Sequence, residues 1–328
     1  MGWIVSSALL SVLLFSGCSG NRERKPVVGV VPKGANHIFW QTVHAGANKA
    51  AEEYGLEVEW NAPTLEIDAS RQIAIIDSMI NRRLAGIALA PVDRTALVNV
   101  VERAGTQQVP VAIFDSGIDT TKRVTYVATD NREGGRLAAR ELGRLLSGEG
   151  KLAVIGFMAG SASTMEREEG FAEEIRTNFP KMKIVQTVFG MADRAKALAG
   201  TENVLNAHPD LAGIFADNES SSAGAMMAIK ARNATKVRTI AFDSNEQLVS
   251  DLKDKRLDAL VLQDPFKMGY EAVKALGMKL KGQTPPALID SGVYLVTRET
   301  MEQPDVVTLL RPDLQKWLGG QRSGEAAH

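Results

Sequence analysis

The sequence is poor in the residues that build disulfide frameworks and metal centres. Its 328 residues include one cysteine, Cys18, and only four histidines. A single cysteine cannot form an internal disulfide or a thiolate metal cluster, and the histidines share no metal-ligand spacing. We therefore expect no bound metal ion and no cofactor, and this composition argues against a zinc enzyme.

The sequence also lacks an excess of either charge. It has 38 basic and 39 acidic residues, for a formal net charge of −1. Binding to a polyanion needs a basic excess, so we expect no nucleic-acid partner. Hydrophobic residues make up 45% and charged residues 23%, which is typical of folded domains. At roughly 100–200 residues per domain, the length predicts two domains.

The most continuous apolar stretch, residues 3–17, is shorter than the ~20 residues that a membrane-spanning helix needs. It ends at Ser16-Gly17-Cys18, where small residues precede the lone cysteine as in a bacterial lipoprotein cleavage box. This pattern predicts a signal peptide over residues 1–18, a lipid on Cys18 and a solvated tether over 19–25. A buried N-terminal helix with an incidental cysteine is the alternative.

From Pro26 onward, short β-rich runs alternate with longer amphipathic helical windows. VVGVV (27–31) precedes a helical window that ends before Gly55, and KLAVIGF (151–157) begins a second series of the same kind. Such alternation is typical of parallel sheets covered by helices. The sequence therefore predicts an α/β protein with two doubly wound parallel-sheet domains joined by a multi-strand hinge.

The order of these runs predicts how the chain divides between the two domains. We expect an N-terminal lobe of residues 26–130 plus 264–290 and a C-terminal lobe of residues 131–263 plus 291–317. The tail, residues 318–328, has too little apolar content to order itself and is expected to be disordered.

Polar side chains collect at the carboxyl ends of the predicted strands, at Asp115, Asn218, Asp243 and Gln263. Ligands of open parallel sheets bind beyond this edge. Carboxylates accept hydrogen bonds from hydroxyl groups, and carboxamides both donate and accept them. The four residues therefore indicate a neutral, polyhydroxylated ligand.

An aromatic pair, Phe39 and Trp40, follows the first strand together with His37. An aromatic face packs well on the C–H face of a sugar ring, which predicts a ligand contact. Each candidate also has a structural alternative: the aspartates as helix N-caps, the aromatic residues as core, Asn218 as a turn former and His37 as a surface residue.

The chain resembles the periplasmic ribose- and galactose-type sugar-binding proteins of ABC transporters, a family that shares its core with lactose-repressor-like regulators. The resemblance is carried by NHIFW (36–40), VPVAIFD (109–115), ATDNREGGRLAA (128–139), EREEGF (166–171), AHPDLAGIFADNE (207–219), TIAFD (239–243) and VLQDPFKMG (261–269). It implies the type I periplasmic binding protein fold. It also implies ring contacts from Phe39 and Trp40 and hydroxyl contacts from Asp115, Asn218, Asp243 and Gln263, with His37 as a further donor.

Two residues depart from the ribose-type pattern. Ser116 follows Asp115 where such sites carry arginine, and Met165 replaces a second arginine. The loss of two bidentate guanidinium donors disfavours ribose and favours a bulkier, deoxygenated or less polar sugar, or a polyol. Lys33 is a candidate replacement for one lost donor.

These features predict a monomeric, non-catalytic receptor of the periplasm or cell envelope, held to the membrane by its lipid. It would close on a sugar or polyol and deliver it to ABC permease subunits. A sensor or chemotaxis component is an alternative partner system. A transcriptional regulator would need about 50–60 DNA-binding residues before the core. A glycosidase would use Asp115 and Asp243 as its acid–base pair.

Overall fold

A computed structural model describes residues 24–35 and 37–319. The predicted signal peptide with Cys18, most of the tether and nearly all of the tail lie outside the described residues. Of the helices that are described, none combines the length and the apolar character needed to cross a bilayer.

The described residues form twelve strands and eleven helices. The strands are β1 (Val27–Val31), β2 (Glu57–Trp60), β3 (Gly86–Leu89), β4 (Val111–Phe114), β5 (Thr125–Ala128), β6 (Glu149–Gly156), β7 (Lys181–Phe189), β8 (Leu211–Ala216), β9 (Arg238–Phe242), β10 (Ala259–Gln263), β11 (Leu288–Asp290) and β12 (Val293–Thr297). The helices are α1 (Ile38–Tyr54), α2 (Ala69–Asn81), α3 (Val98–Thr106), α4 (Asn131–Leu145), α5 (Ala162–Asn178), α6 (Arg194–Ala207), α7 (Glu219–Ala231), α8 (Glu246–Lys253), α9 (Pro265–Leu280), α10 (Pro304–Leu310) and α11 (Gln315–Leu318).

The strands form two six-stranded sheets, ordered β11-β5-β4-β3-β1-β2 and β12-β10-β9-β8-β6-β7. We call each sheet with its helices a lobe, the first and the second. All pairs are parallel except β12, which runs antiparallel to β10 with Val296 opposite Leu260. The prediction of two doubly wound domains is confirmed, and the antiparallel edge strand is the one departure from an all-parallel sheet.

The central strands are continuous apolar runs because both of their faces are covered by helices. In the first lobe, Val30 and Phe114 pack toward α1 and α9, whereas Ile87 and Ile113 pack toward α2 and α3. Side chains of successive strand residues point to opposite faces, so one run supplies two cores.

Three chain segments join the two sheets, β5 to α4, β10 to α9 and β11 to β12, and a fourth crossing leads from α10 of the second lobe to α11. The first and third crossings are tied together by Thr129, whose Oγ1 lies 3.1 Å from Ser291 Oγ and donates to the Gly292 carbonyl at 3.0 Å. The last helix, α11, lies against α1 of the first lobe, where Asn48 Nδ2 donates to the Trp317 carbonyl at 3.0 Å. The sequence had assigned residues 291–317 as a whole to the C-terminal lobe.

Each lobe contains a pair of helices that meet at two glycines with their backbones in contact, α1 with α9 in the first lobe and α4 with α5 in the second. A Cβ added at Gly46, Gly269, Gly135 or Gly170 would lie 2.0 Å from a carbonyl oxygen of the facing helix. Only glycine permits this approach. The α4–α5 contact positions Arg167 of α5, and the α1–α9 contact positions the start of α1 beside the hinge.

Candidate ligand-binding site

The two lobes present one aspartate each at the same place in the fold. Asp115 follows β4 and Asp243 follows β9, with backbone φ angles of 63° and 67°. Each donates its backbone N–H to the neighbouring strand, Asp115 to Val127 and Asp243 to Val261, both at 2.9 Å. The left-handed conformation costs a non-glycine residue about 1 kcal/mol and collects at functional sites. This backbone conformation directs the carboxylates of Asp115 and Asp243 into the space between the lobes.

That space is a cavity of about 40 Å³, which we call the central cavity. Seven of the nine sequence-predicted site residues line it: His37, Phe39, Trp40, Asp115, Asn218, Asp243 and Gln263. Further lining comes from residues that were not among the nine: Lys33, Glu66, Phe157, Ser163, Thr164, Arg167 and Glu219. The polar strand ends of both lobes therefore converge on one cavity.

Ser116 and Met165 do not line the cavity. The Ser116 side chain instead accepts a hydrogen bond from Lys33 Nζ through its Oγ. On α5, the residues that reach the cavity are Ser163, Thr164 and Arg167, which share one helix face because Arg167 comes four positions after Ser163 and three after Thr164. Met165 is rotated about 100° away from Thr164 around the helix axis, which takes it off that face.

Lys33 places a buried ammonium group where the two lobes meet. Its Nζ lies 2.8 Å from Asp115 Oδ2 and donates to Ser116 Oγ at 2.8 Å within the first lobe. It also donates to Ser161 and Ser163 of the second lobe, at 3.4 and 3.3 Å. The ammonium is the ion-pair partner of Asp115 Oδ2, and a carboxylate oxygen has more than one lone pair, so this oxygen can also accept from a ligand.

In the second lobe, Asp243 is held by neutral donors. Gln263 Nε2 donates to Oδ1 at 2.7 Å, and the backbone N–H of Glu219 donates to Oδ2 at 3.2 Å. Burial raises the pKa of Asp243, and the positive charge of Arg167 partly offsets this. Gln263 Oε1 is buried and accepts no hydrogen bond from the residues that the structure describes, so it is a second acceptor for a ligand.

Arg167 is a buried guanidinium with a fixed orientation. Its Nε donates to Asn131 Oδ1 and its Nη1 to the Asp217 carbonyl, both at 2.8 Å. The group also lies 3.8 Å from the ring centre of Phe242, a cation–π contact. These bonds use two of the five N–H donors of the guanidinium, which also brings positive potential to the cavity.

The mouth of the cavity is a cluster of aromatic and acidic residues. Trp40 Nε1 donates to Glu66 Oε1 at 2.8 Å, and the Phe39 and Trp40 rings meet edge to face at 4.8 Å. His37 Nδ1 lies 3.5 Å from Glu66 Oε1 and 3.2 Å from Glu219 Oε2, which belongs to the other lobe. Burial raises the pKa of Glu66, partly offset by His37 and Trp40.

Some candidates also have the structural role that was weighed from sequence. Asn218 Oδ1 accepts from Ser221 N at 3.1 Å and so caps α7, while its side chain also lines the cavity. Trp40 is buried in the first-lobe core and still reaches the cavity edge. The capping and packing roles therefore coexist with a place in the site.

Two doubly wound lobes that jointly line a polar cavity define a two-domain ligand-binding protein. Residues 28–284 match the family model described as a periplasmic binding protein domain. The chain belongs to this family, which confirms the resemblance drawn from its motifs. Its members are solute-binding proteins, so the glycosidase alternative is set aside.

Among curated relatives, the ribose import binding protein of Bacillus subtilis is 29% identical, covering 88% of this chain and 97% of the relative. The D-ribose/D-allose-binding protein of Pseudomonas aeruginosa is 29% identical, covering 90% and 96%. Among solved structures, an ABC transporter solute-binding protein of Agrobacterium vitis with bound D-fucose is 34% identical, with a TM-score of 0.84 and coverage of 87% and 99%.

Proposed function

We propose that this protein captures a sugar or polyol between its lobes outside the cytoplasm and delivers it to an ABC importer. The proposal rests on one observation: Asp115 Oδ2 and Gln263 Oε1 are buried acceptors that line one cavity from different lobes. A ligand with hydroxyl groups on several sides satisfies both at once. The names of the curated relatives support the same ligand class.

Closure is the mechanism that this geometry supports. Contacts from both lobes are complete only when the cleft is shut, so a ligand that makes them favours the closed state. The three chain segments that join the sheets act as a hinge between two rigid lobes. A permease would then distinguish the closed, loaded form from the open one by its shape.

The departures from the ribose-type sequence pattern, rather than the cavity lining, favour a sugar less polar than ribose. Ser116 and Met165 stand where the ribose-type pattern carries arginine, and Lys33 supplies a single ammonium beside Asp115. The Agrobacterium vitis relative binds D-fucose, a deoxy sugar. We therefore place deoxy sugars ahead of ribose as ligands, with Phe39 and Trp40 packing on the apolar ring face.

We further propose that Cys18 carries a lipid that holds a monomeric receptor at the cell envelope. The support is the sequence Ser16-Gly17-Cys18 after an apolar stretch. Mass spectrometry of the protein purified from membranes would find a diacylglyceryl group on Cys18. Recovery of an unmodified Cys18→Ser variant in the soluble fraction, with the parent in the membrane fraction, would support the anchor; equal partition of both would contradict it.

Isothermal titration against D-ribose, D-allose, D-arabinose, D-fucose and polyols tests the proposed function. We expect one ligand with about micromolar affinity or better. Asp243→Asn should lose this binding, because the amide cannot replace the charged acceptor. Asp210→Asn, at an exposed surface pair with Lys151, is the matched control and should bind normally. A folded protein that binds none of these ligands would contradict the proposal.

A further inference from the structure

A second and larger cavity adjoins the central one. It has a volume of about 880 Å³, and we call it the side chamber. Phe39, Asp243 and Gln263 line both cavities, so the two are neighbours along one wall. Ligand pockets commonly measure about 300–1,000 Å³. The side chamber lies in this range, whereas the central cavity is far below it, so the lobes must stand further apart than they do here when the central cavity holds a sugar ring.

The side chamber lies between the lobes and is built from both. The first lobe contributes Ile38 and Thr42 of α1, and the second contributes Met227 of α7 and the loop before α8. Residues 309–312 complete the wall, just before the chain crosses to α11 on the first lobe. A group bound in this chamber would therefore contact both lobes, like a ligand of the central cavity.

The charges of the lining indicate the chemistry of an occupant. Arg194 and Arg311 balance Asp243 and Glu246, so the chamber favours a neutral group. Apolar surface comes from side chains such as Met227. A lining of mixed polar and apolar character suits a second sugar ring or an aromatic aglycone, each of which has an apolar face and polar edges.

The polar wall of the chamber is held in place by a residue of the central cavity. Arg194 and Asn245 both donate to Glu219 Oε1, and Asn245 Oδ1 also caps α8 by accepting from Leu248 N at 2.8 Å. At the boundary, Gln263 is only 4% exposed and its Oε1 accepts no hydrogen bond from the described part of the chain. It is an acceptor placed where a ligand would pass from one cavity into the other.

We propose that the transported solute is a glycoside, with one sugar ring in the central cavity and the attached ring in the side chamber. This inference rests on the proposed function and specifies its substrate class. It predicts that extending a sugar from the central cavity strengthens binding, whereas a cavity shaped for a monosaccharide alone would reject the extension.

The probes are D-fucose, D-arabinose and D-ribose, each as the free sugar, the methyl glycoside and the 4-nitrophenyl glycoside, in both anomers. Isothermal titration should give one 4-nitrophenyl glycoside an affinity at least about tenfold above that of its methyl glycoside, as burial of a further ring implies. Sugars that bind free but are weakened by every substituent would overturn the inference and leave the proposed function standing. Failure of all probes to bind the folded protein would instead overturn the proposed function.

A pair of tryptophan substitutions locates the added group. Met227→Trp narrows the chamber with a bulkier ring, so the tenfold advantage of the 4-nitrophenyl over the methyl glycoside should fall at least about threefold. Leu280→Trp is the matched control, since Leu280 is 42% exposed against 49% for Met227 and lines neither cavity. The advantage should persist there. An advantage that survives Met227→Trp unchanged would show that the substituent lies elsewhere and overturn the inference.

Discussion

Asp115 and Asp243 occupy equivalent positions in the two lobes but have different partners. Both follow a buried parallel strand, both have a left-handed backbone and both line the central cavity. Asp115 lies beside the ammonium of Lys33, whereas Asp243 accepts from the amide of Gln263 and a backbone N–H. The shared strand-end backbone conformation thus determines the position of each carboxylate. The neighbouring side chains determine whether its partner is a charged group or a neutral donor.

The two lobes differ also in where their polar groups reach. From the first lobe, Lys33 bonds Ser161 and Ser163, and His37 approaches Glu219, all in the second lobe. The hydrogen bonds given above for Asp243 lie within the second lobe. Lys33 and His37 therefore make contacts that depend on closure, whereas the carboxylate of Asp243 is held within its own lobe.

The largest effect on stability is expected from removing the positive charge of Lys33 in the first lobe. Lys33→Met leaves the buried carboxylate of Asp115 without its cation, which should lower the free energy of unfolding by about 3–5 kcal/mol. Urea unfolding measures this. Lys151→Met, which removes an exposed ion pair with Asp210, should cost less than about 1 kcal/mol. Equal losses in the two variants would contradict the difference that we draw between Asp115 and a surface carboxylate.

The neutral partner in the second lobe should affect binding more than folding. Gln263→Leu removes the donor to Asp243 and one ligand acceptor, so sugar affinity should fall about 10–100-fold. Titration with the ligand from the sugar panel measures the loss. Gln283→Leu, on the exposed surface after α9, should bind like the parent. Unchanged affinity in Gln263→Leu would remove Gln263 from the site.

A buried carboxyl pair in the second lobe should make its stability depend on pH. Burial and the neighbouring carboxylate of Glu168 raise the pKa of Asp217 well above its usual range, and burial raises the pKa of Glu168. Above the ordinary carboxyl pKa and up to the raised values, the folded protein holds more protons than the unfolded chain. The free energy of unfolding should therefore fall as pH rises through this window, by at most about 1.4 kcal/mol per pH unit for one proton.

Urea unfolding between about pH 4 and pH 8 measures this slope. Glu168→Gln supplies a neutral donor to Asp217 in place of the second carboxyl group and should flatten it. Glu302→Gln, at an exposed residue of the second lobe far from this pair, should leave the slope unchanged. A steep slope that persists in Glu168→Gln would assign the pH dependence to other groups.

The smallest effect is expected at the cavity mouth. His37 Nδ1 lies 3.2 Å from Glu219 Oε2 of the other lobe and 3.5 Å from Glu66 Oε1 of its own lobe, so the imidazole links the lobes when the cleft is shut. His37→Ala should lower sugar affinity about twofold to fivefold, as expected for a partly exposed pair. Titration with the ligand from the sugar panel measures the loss. Lys49→Ala, which removes a partly exposed pair with Glu53 further along α1, should bind like the parent. Unchanged affinity in His37→Ala would contradict this role.

The sequence predicted the sheets well because buried parallel strands are continuous apolar runs. It also predicted Asp115, Asp243 and Gln263 as site candidates, since the carboxyl ends of parallel strands meet at one edge. It did not predict that β12 is antiparallel, because a short apolar run has the same pattern in a parallel and in an antiparallel strand. It also did not predict Glu66, which lies in a loop after β2, because a loop has no helix or strand periodicity to indicate which residues face the cavity.

Met165 illustrates a second limit of predicting site residues from the sequence. Its assignment came from a matching position in a resembled pattern, but the phase of α5 directs Arg167 and Thr164 to the cavity. Helix phase depends on how α5 packs against α4, through the contact at Gly135 and Gly170. Such a contact joins residues far apart in the sequence, and no local pattern reports it.

The most direct test of the account is a crystal structure of the protein with the tightest-binding sugar of the panel. The account predicts a sugar ring between the lobes, with hydroxyl groups within hydrogen-bond distance of the Asp115 carboxylate on one side and of Asp243 and Gln263 on the other. A sugar that contacts only one lobe, or that lies outside the central cavity, would contradict it.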